Sequence, residues 1–356
     1  MFRGIDHVEF YVGNAFASSY FYARALGFVP HAEAGLETGH RDRHSCVVAQ
    51  NGIHLVFTNP LKGSGPIADH VRKHGDAIRD IAIAVDDADE AFRKCVAFGA
   101  EPVEEPRTES DKHGEVRRAT IATFGDTVHS LIERKDYSGT FLPGYRDWLA
   151  ANRPLPGNLM AIDHVACCVE RGSLRRWVEF YEKAFGFREV HHEDIVTDRS
   201  AMNSIVIGSE NGAIKFPLME PAPAKGKSQI EEFLDYNEGA GGQHLAFLSE
   251  DILQTVRSLQ ADGWVAFLET PGTYYDALPD RVGEIEEDFR ELDELNVLVD
   301  RDAWGYLLQV FTRPVTGKPT SFLEIVQRKG ARGFGGGNVR ALFEAVERAQ
   351  AARGNL

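Results

Sequence analysis

Short runs in which apolar side chains alternate in size or with polar neighbours recur along this chain, separated by stretches with apolar residues at helical spacing. Ile81-Ala82-Ile83-Ala84-Val85 is one such run and predicts a half-buried strand. In the first half the pattern predicts a strand over 5–12, a helix over 14–26, strands near 44–49 and 53–58, and a helix around 66–74. A second unit follows, with strand 79–85, helix 87–98 and strands 101–106, 115–122 and 127–133. The second half repeats the order: strand 162–169, helix 173–185, strands 188–194, 202–208 and 213–219, and helix 227–235. Strand 243–248, helix 250–262 and strand 264–268 come next. Strands near 296–300, 305–312 and 321–327 and a final helix over about 338–352 complete it.

The repetition extends to the letters. Ile5-Asp6-His7-Val8 returns as Ile162-Asp163-His164-Val165, and Phe21-Tyr22 with Ala25-Leu26-Gly27-Phe28 returns as Phe180-Tyr181 with Ala184-Phe185-Gly186-Phe187. A repeat at this spacing sets the architecture before any chemistry is considered. Each half holds two βαβββ-like units, which predicts an α+β fold with one open β-barrel per half and helices outside. The segment 136–158 is rich in Pro, Gly and Asp and carries Phe141-Leu142-Pro143-Gly144-Tyr145. It holds the linker, assigned to 141–158 between a non-catalytic domain at 1–140 and a catalytic domain at 159–356 that ends in a lid helix.

Composition narrows the function classes. With 356 residues and 43% hydrophobic content there is ample material for two cores. No apolar run reaches the roughly 18 to 20 residues of a membrane span, and the strand pattern starts almost at Met1, leaving no room for a signal peptide. The expectation is a soluble, cytoplasmic protein without membrane contacts. A net charge of −15 argues against a nucleic-acid partner, because phosphate contacts need a basic face. Cys46, Cys95, Cys167 and Cys168 lack zinc-like spacing and read as reduced, buried thiols.

Only the second half offers a set of metal ligands. His164 lies on its first strand, His244 on the strand Gly242-Gln243-His244-Leu245-Ala246-Phe247, and Glu324 on Ser321-Phe322-Leu323-Glu324-Ile325. Two imidazoles and one carboxylate match the facial triad of non-heme Fe(II) oxygenases, which leaves an octahedral face open. On Fe(2+) they leave a net single positive charge, suited to an anionic 2-oxo acid. In the first half Asp80 stands where His244 does. Aligning Gly125–Glu133 with Gly305–Arg313 puts His129 opposite Gln309, and no strand is expected to match the one carrying Glu324. His7 therefore reads as structural.

The whole chain resembles the 4-hydroxyphenylpyruvate dioxygenases, two-domain members of the vicinal-oxygen-chelate superfamily. The resemblance is carried by Lys215-Phe216-Pro217-Leu218-Met219-Glu220-Pro221-Ala222-Pro223, by Lys227-Ser228-Gln229-Ile230-Glu231-Glu232-Phe233-Leu234-Asp235-Tyr236, and by Gly239-Ala240-Gly241-Gly242-Gln243-His244. It continues through Gly305-Tyr306-Leu307-Leu308-Gln309-Val310-Phe311-Thr312, Gly333-Phe334-Gly335-Gly336-Gly337-Asn338 and Arg353-Gly354-Asn355-Leu356. Phe124-Gly125-Asp126-Thr127-Val128-His129 and Phe141-Leu142-Pro143-Gly144-Tyr145 match in the first half. The resemblance implies Fe(II) at His164, His244 and Glu324, with Ser204, Gln229, Gln243 and Gln309 orienting an arylpyruvate that reacts with O2. It implies Pro217 in the substrate pocket and an aromatic wall of Phe311, Phe322, Phe334 and Phe343. It also suggests a homo-oligomer.

Two departures bear on the product. Homogentisate-forming members carry Asn in place of Met219 and Phe in place of Val339, whereas the family's 4-hydroxymandelate synthases are aliphatic at both places. Loss of an amide and of aromatic bulk frees the ring to rotate and brings the benzylic carbon forward. Against this, Pro217 and most other segments follow the homogentisate pattern, so homogentisate stands first and 4-hydroxymandelate close behind. The closing helix is expected to be capped by Asn338 and hinged at Gly335-Gly336-Gly337. An extradiol dioxygenase would need a His or Tyr acid/base where Gln and Phe stand. A metal-free binding protein would have no use for the three ligands together.

Overall fold

The structure is a computed structural model that describes residues 1–148, 157–261 and 263–355. The first half runs β1 (Phe2–Tyr11), α1 (Ala15–Leu26), β2 (Val29–Ala34), β3 (Arg43–Gln50), β4 (Ile53–Pro60), α2 (Pro66–His74), β5 (Ala77–Val85), α3 (Ala88–Ala97), β6 (Pro102–Asp111), β7 (Gly114–Ala122), β8 (Val128–Glu133) and β9 (Arg146–Asp147). The second half runs β10 (Leu159–Cys168), α4 (Leu174–Phe185), β11 (Arg188–Val196), β12 (Ala201–Gly208), β13 (Lys215–Pro221), α5 (Gln229–Asn237), β14 (Gly241–Ser249) and α6 (Ile252–Ala261). Three short helices follow, α7 (Gly272–Asp276), α8 (Leu278–Val282) and α9 (Phe289–Glu294). Then come β15 (Leu298–Arg301), β16 (Tyr306–Phe311), β17 (Phe322–Lys329) and the closing helix α10 (Gly336–Ala352).

Each half is one curled mixed sheet. The first has the order β6-β7-β8-β5-β1-β4-β3-β2-β9 and the second β11-β12-β13-β10-β14-β17-β16-β15. Read in opposite directions the two orders coincide, with the short β9 as an extra edge. Tandem α+β open barrels, expected from the repeat, are what the chain forms. Four-stranded units join at antiparallel seams, β1 against β5 and β10 against β14.

The strand order corrects the expected alignment of the two halves. β8, not a missing strand, is the counterpart of β17, because each lies parallel to the strand that closes the seam. His7 pairs with Ala82, and the constant register of Asp80 with Val128 and Ile83 with Leu131 sets Ala82 beside Ser130. His164 pairs with Ala246, which pairs with Glu324. Ser130 thus holds the position of Glu324. One strand further, Thr120 pairs with Ser130 as Phe311 pairs with Glu324, so Arg118, two residues before, takes the place of Gln309. His129 points the other way: its Nε2 lies 2.8 Å from the Tyr181 hydroxyl, and its ring stacks on Phe216 at 5.5 Å.

Other elements differ from expectation. The strand predicted over 264–268 is reduced to a single bridge between Phe267 and Thr312. β2 and the three short helices α7 to α9 occupy stretches where the pattern predicted no element. The two barrels share one apolar core, with Phe2 packed 4.8 Å from Phe185. Each such buried aromatic contributes roughly 1.5–3 kcal/mol of burial free energy. Within the expected linker, Phe141 and Leu142 pack into the first half, and β9 pairs with its β2. The linker's stretch 149–156 lies outside the described residues. All four cysteines are buried free thiols, and burial pushes that of Cys95 up to about 12. No helix among the described residues is long and apolar enough to cross a membrane.

Candidate metal centre

His164, His244 and Glu324 come together inside the second barrel, each from a different strand. Their ligand atoms all lie within 4.8 Å of one another. His164 Nε2 is 3.2 Å and His244 Nε2 3.4 Å from Glu324 Oε2. Metal bonds of roughly 2.1 Å at right angles set neighbouring donors about 3.0 Å apart, so the set needs little adjustment to hold an ion. All three residues are buried, and the two rings stand at 77° to each other.

The far side of every ligand is held. Asp163 Oδ2 lies 2.8 Å from His164 Nδ1, and Gln243 Oε1 lies 3.2 Å from His244 Nδ1. Both contacts direct the Nε2 lone pair inward, as outer partners of metal-bound histidines do. Gln309 Nε2 donates to Glu324 Oε1 at 2.8 Å, leaving Oε2 free to ligate. Asp163 is itself clamped by Arg328, whose Nε and Nη2 each donate at 2.8 Å, and by Lys215 at 3.2 Å.

The electrostatics follow from this packing. Burial alone would raise the Glu324 carboxyl, but the imidazoles of His164 and His244 hold it down to about 2. Burial opposes protonation of both rings. At His164 the carboxylates of Glu324 and Asp163 outweigh it and the ring is raised; at His244 burial wins and the ring is lowered. For Asp163 burial is overcome by Arg328 and His164, leaving it well below the usual range. A buried anion facing two imidazoles is a cation site by its chemistry.

A cavity opens over the triad. It gathers Ser204, Gln229, Gln243, Gln309, Pro217, Met219, Phe311, Phe334 and Val339 around the three ligands. Gln229 stands at the start of α5, where Ser228 and Glu231 form a capping box, and its buried Oε1 has no hydrogen-bond partner among the described residues. Two expected wall residues do not line this cavity. Phe322 stacks on the outer face of His244 at 4.6 Å, and Phe343 is fully buried behind it in a cluster with Met219 and Met202. His191, Glu193, Met202, Val206 and Leu342 also line the cavity and were not singled out. The strand of His191 and Glu193 places Val190, Ile195 and Val196 among polar residues without regular alternation, and nothing in its pattern distinguishes the side chains that turn inward.

The closing helix corrects another expectation. Gly335, not Asn338, caps α10. Its φ of +71° favours glycine, and a Cβ there would sit 2.5 Å from Gln309 Oε1. Asn338 is instead buried in the first turn, its amide 2.8 Å from that of Gln309 and 2.6 Å from the Tyr274 hydroxyl. Phe334, just before the helix, stands edge-on to His164 at 5.3 Å, with Arg328 over its ring at 5.3 Å.

Comparison with known proteins places the chain. Residues 4–133 and 161–309 match the Glyoxalase/Bleomycin resistance protein/Dioxygenase superfamily. The chain is 44% identical to the 4-hydroxyphenylpyruvate dioxygenase of Yarrowia lipolytica, with 100% of this chain and 94% of that protein covered. It is 45% identical to that of Neurospora crassa, covering 100% and 93%. The chain belongs to the 4-hydroxyphenylpyruvate dioxygenase family. Among solved structures, a triple mutant of the 4-hydroxymandelate synthase of Streptomyces coelicolor matches with a TM-score of 0.89 and 42% identity, covering 98% of this chain and 100% of that one. The chain is thus similar both to proteins named 4-hydroxyphenylpyruvate dioxygenase and to one named 4-hydroxymandelate synthase, and membership makes it a metal-dependent dioxygenase.

Proposed function

We propose that this protein is an Fe(II)-dependent, decarboxylating dioxygenase converting 4-hydroxyphenylpyruvate and O2 to homogentisate and CO2. The observation that carries the proposal is the buried His164–His244–Glu324 set opening onto a cavity with an orphaned acceptor, Gln229 Oε1. His164, His244 and Glu324 would hold the ion. When bound, it supplies Lewis acidity and the one-electron chemistry that lets O2 react with a 2-oxo acid. The protein's own part is binding and exclusion. Gln243 and Gln309 hold His244 and Glu324 from behind, so the open face is set before substrate arrives. Ser204 and Gln229 present polar groups to the substrate, and Gln229 Oε1 suits a hydroxyl donor. Phe311 and Phe334 form apolar walls for the ring. With α10 seated the free space is only about 50 Å³, so α10 acts as a lid that must shift to admit an arylpyruvate and then shut out water.

A second reading rests on a specific feature of the same wall. Met219 and Val339 are both at the cavity, where neither can hydrogen-bond the ring or clamp it with an aromatic face. A ring free to turn presents its benzylic carbon, and the product is then 4-hydroxymandelate. The two products are isomers, so positioning alone decides between them. Anaerobic loading with Fe(II), addition of 4-hydroxyphenylpyruvate and O2, and chromatography of the product test both readings. Homogentisate is expected; 4-hydroxymandelate as sole product would replace the first reading by the second, and no O2 uptake would reject both.

A further inference from the structure

The first barrel holds a cavity of about 920 Å³ over the positions that correspond to the metal centre. Its floor is charged and incompletely satisfied. His7 is 3% exposed; its Nδ1 lies 2.7 Å from Asp6 Oδ1, and its Nε2 has no partner among the described residues. Arg118 is held from behind, Nη2 donating to Ser130 Oγ at 3.0 Å and lying 3.7 Å from Asp80 Oδ2, while its Nε has no partner among the described residues. Glu9 enters the same space from β1. Its Oε1 accepts from the Thr58 hydroxyl at 2.6 Å, and no ion pair among the described residues neutralises it. Arg118 and Glu9 therefore face one cavity with no ion pair between them, and its lining adds Arg43, Arg79 and Arg107 as well as Asp42, Glu104 and Glu109. The remaining wall includes Tyr11, Tyr145 and Val56, with aromatic and aliphatic surface.

These residues cannot repeat the chemistry of the second barrel. Asp80 is committed to Ser130, whose backbone N–H donates to Oδ1 at 2.9 Å and whose hydroxyl donates to Oδ2. Arg118 supplies the positive charge that a metal supplies in the other half. A half-buried guanidinium held from behind is a fork for a carboxylate, and a half-buried carboxylate without an ion pair gains from a cation. A ligand carrying both charges on adjacent atoms, with an apolar remainder, satisfies both at once.

We propose that the amino-terminal barrel is a second ligand site, for an α-amino acid with an aromatic or other apolar side chain. Its carboxylate lies at Arg118, its ammonium at Glu9, and its side chain against Tyr11 and Tyr145.

The test is calorimetric titration of the full chain with L-phenylalanine, with 3-phenylpropanoate and 2-phenylethylamine as probes lacking one charge each. L-Phenylalanine is expected to bind with a Kd below about 1 mM, and each single-charge probe at least about tenfold more weakly. Glu9→Gln, which keeps shape and hydrogen bonding, is expected to weaken L-phenylalanine by about tenfold or more and to leave O2 uptake unchanged. Arg118→Lys, which keeps a charge beside Asp80 and so keeps the fold, should weaken the carboxylate-bearing probes alone. Glu324→Ala should leave the binding intact. No binding of L-phenylalanine, equal binding of all three probes, or loss of binding in Glu324→Ala with retention in Glu9→Gln would each overturn the proposal.

Discussion

The two halves share a device as well as a strand order, and that comparison separates scaffold from chemistry. In the second, Asp163 holds His164 and is clamped by Arg328, which lies over Phe334, which in turn meets His164 edge-on. In the first, Asp6 holds His7 and is clamped by Arg134 at 2.9 and 2.8 Å. Arg134 lies 5.4 Å over Phe141, and Phe141 meets His7 at 5.1 Å. The same four-part clamp thus stands in a half that cannot bind the same metal. It is architecture, which fixes a histidine at the seam of both barrels. Function entered at three register positions: His244 against Asp80, Glu324 against Ser130, and Gln309 against Arg118. Histidine, glutamate and an amide make a cation site. Aspartate, serine and arginine make a closed ion pair with one free edge.

The largest expected break of this comparison is at those positions. Glu324→Ala should drop bound iron to background and turnover by about 1,000-fold or more, since a lost Lewis acid removes several kcal/mol at about 1.36 per decade. Ser130→Ala, at the matching position, should leave both unchanged, as read by metal analysis and O2 uptake. Equal effects from the two substitutions would erase the distinction between the halves.

The clamp predicts a smaller asymmetry. Asp163→Asn should weaken iron binding by about 10–100-fold, the usual cost of losing an outer partner of a ligand histidine. Asp6→Asn should leave iron affinity alone and lower only the unfolding midpoint, because it breaks the same buried ion pair without a metal to orient. Competition with a chelator reads the first effect and thermal unfolding the second. Within the second half, Met219→Asn together with Val339→Phe should move the product ratio about tenfold toward homogentisate, roughly 1.4 kcal/mol of differential positioning. An unmoved ratio would mean that these side chains do not steer the ring.

Much of this was legible in the chain. The duplicated Ile-Asp-His-Val and the apolar alternation led to tandem open barrels, and all three ligands and nine of the eleven other site residues lie at one cavity. What failed did so for physical reasons. Strand β8 and strand β16 both follow a Gly-containing turn and read as short apolar runs, so a linear alignment paired them, whereas hydrogen-bond register pairs β8 with β17. Phe343, expected in the aromatic wall, lies one helical turn from Val339 but is buried in the cluster behind the cavity wall. Asn338 has the residue type of a cap, yet the positive φ that opens the helix belongs to Gly335. No local pattern records any of these, since each is decided by residues distant in sequence.

The smallest change in number is the sharpest test of the comparison. Asp80→His, Ser130→Glu and Arg118→Gln together transplant the three distinguishing residues onto the clamp that already holds His7. Arg118 and Asp80 are removed as a pair, so neither is left without its partner, which spares the roughly 3–5 kcal/mol that breaking one partner alone costs, and the introduced carboxylate faces two imidazoles as Glu324 does. The introduced imidazole and carboxylate would sit beside His7 Nε2, with the new amide behind the carboxylate. Bound iron is then expected to rise from one to two per chain, measured after anaerobic loading and desalting, with unfolding still cooperative. A folded triple variant that still binds a single iron would show that matching register is not enough, and that the second barrel supplies something beyond its ligands, their clamp and Gln309.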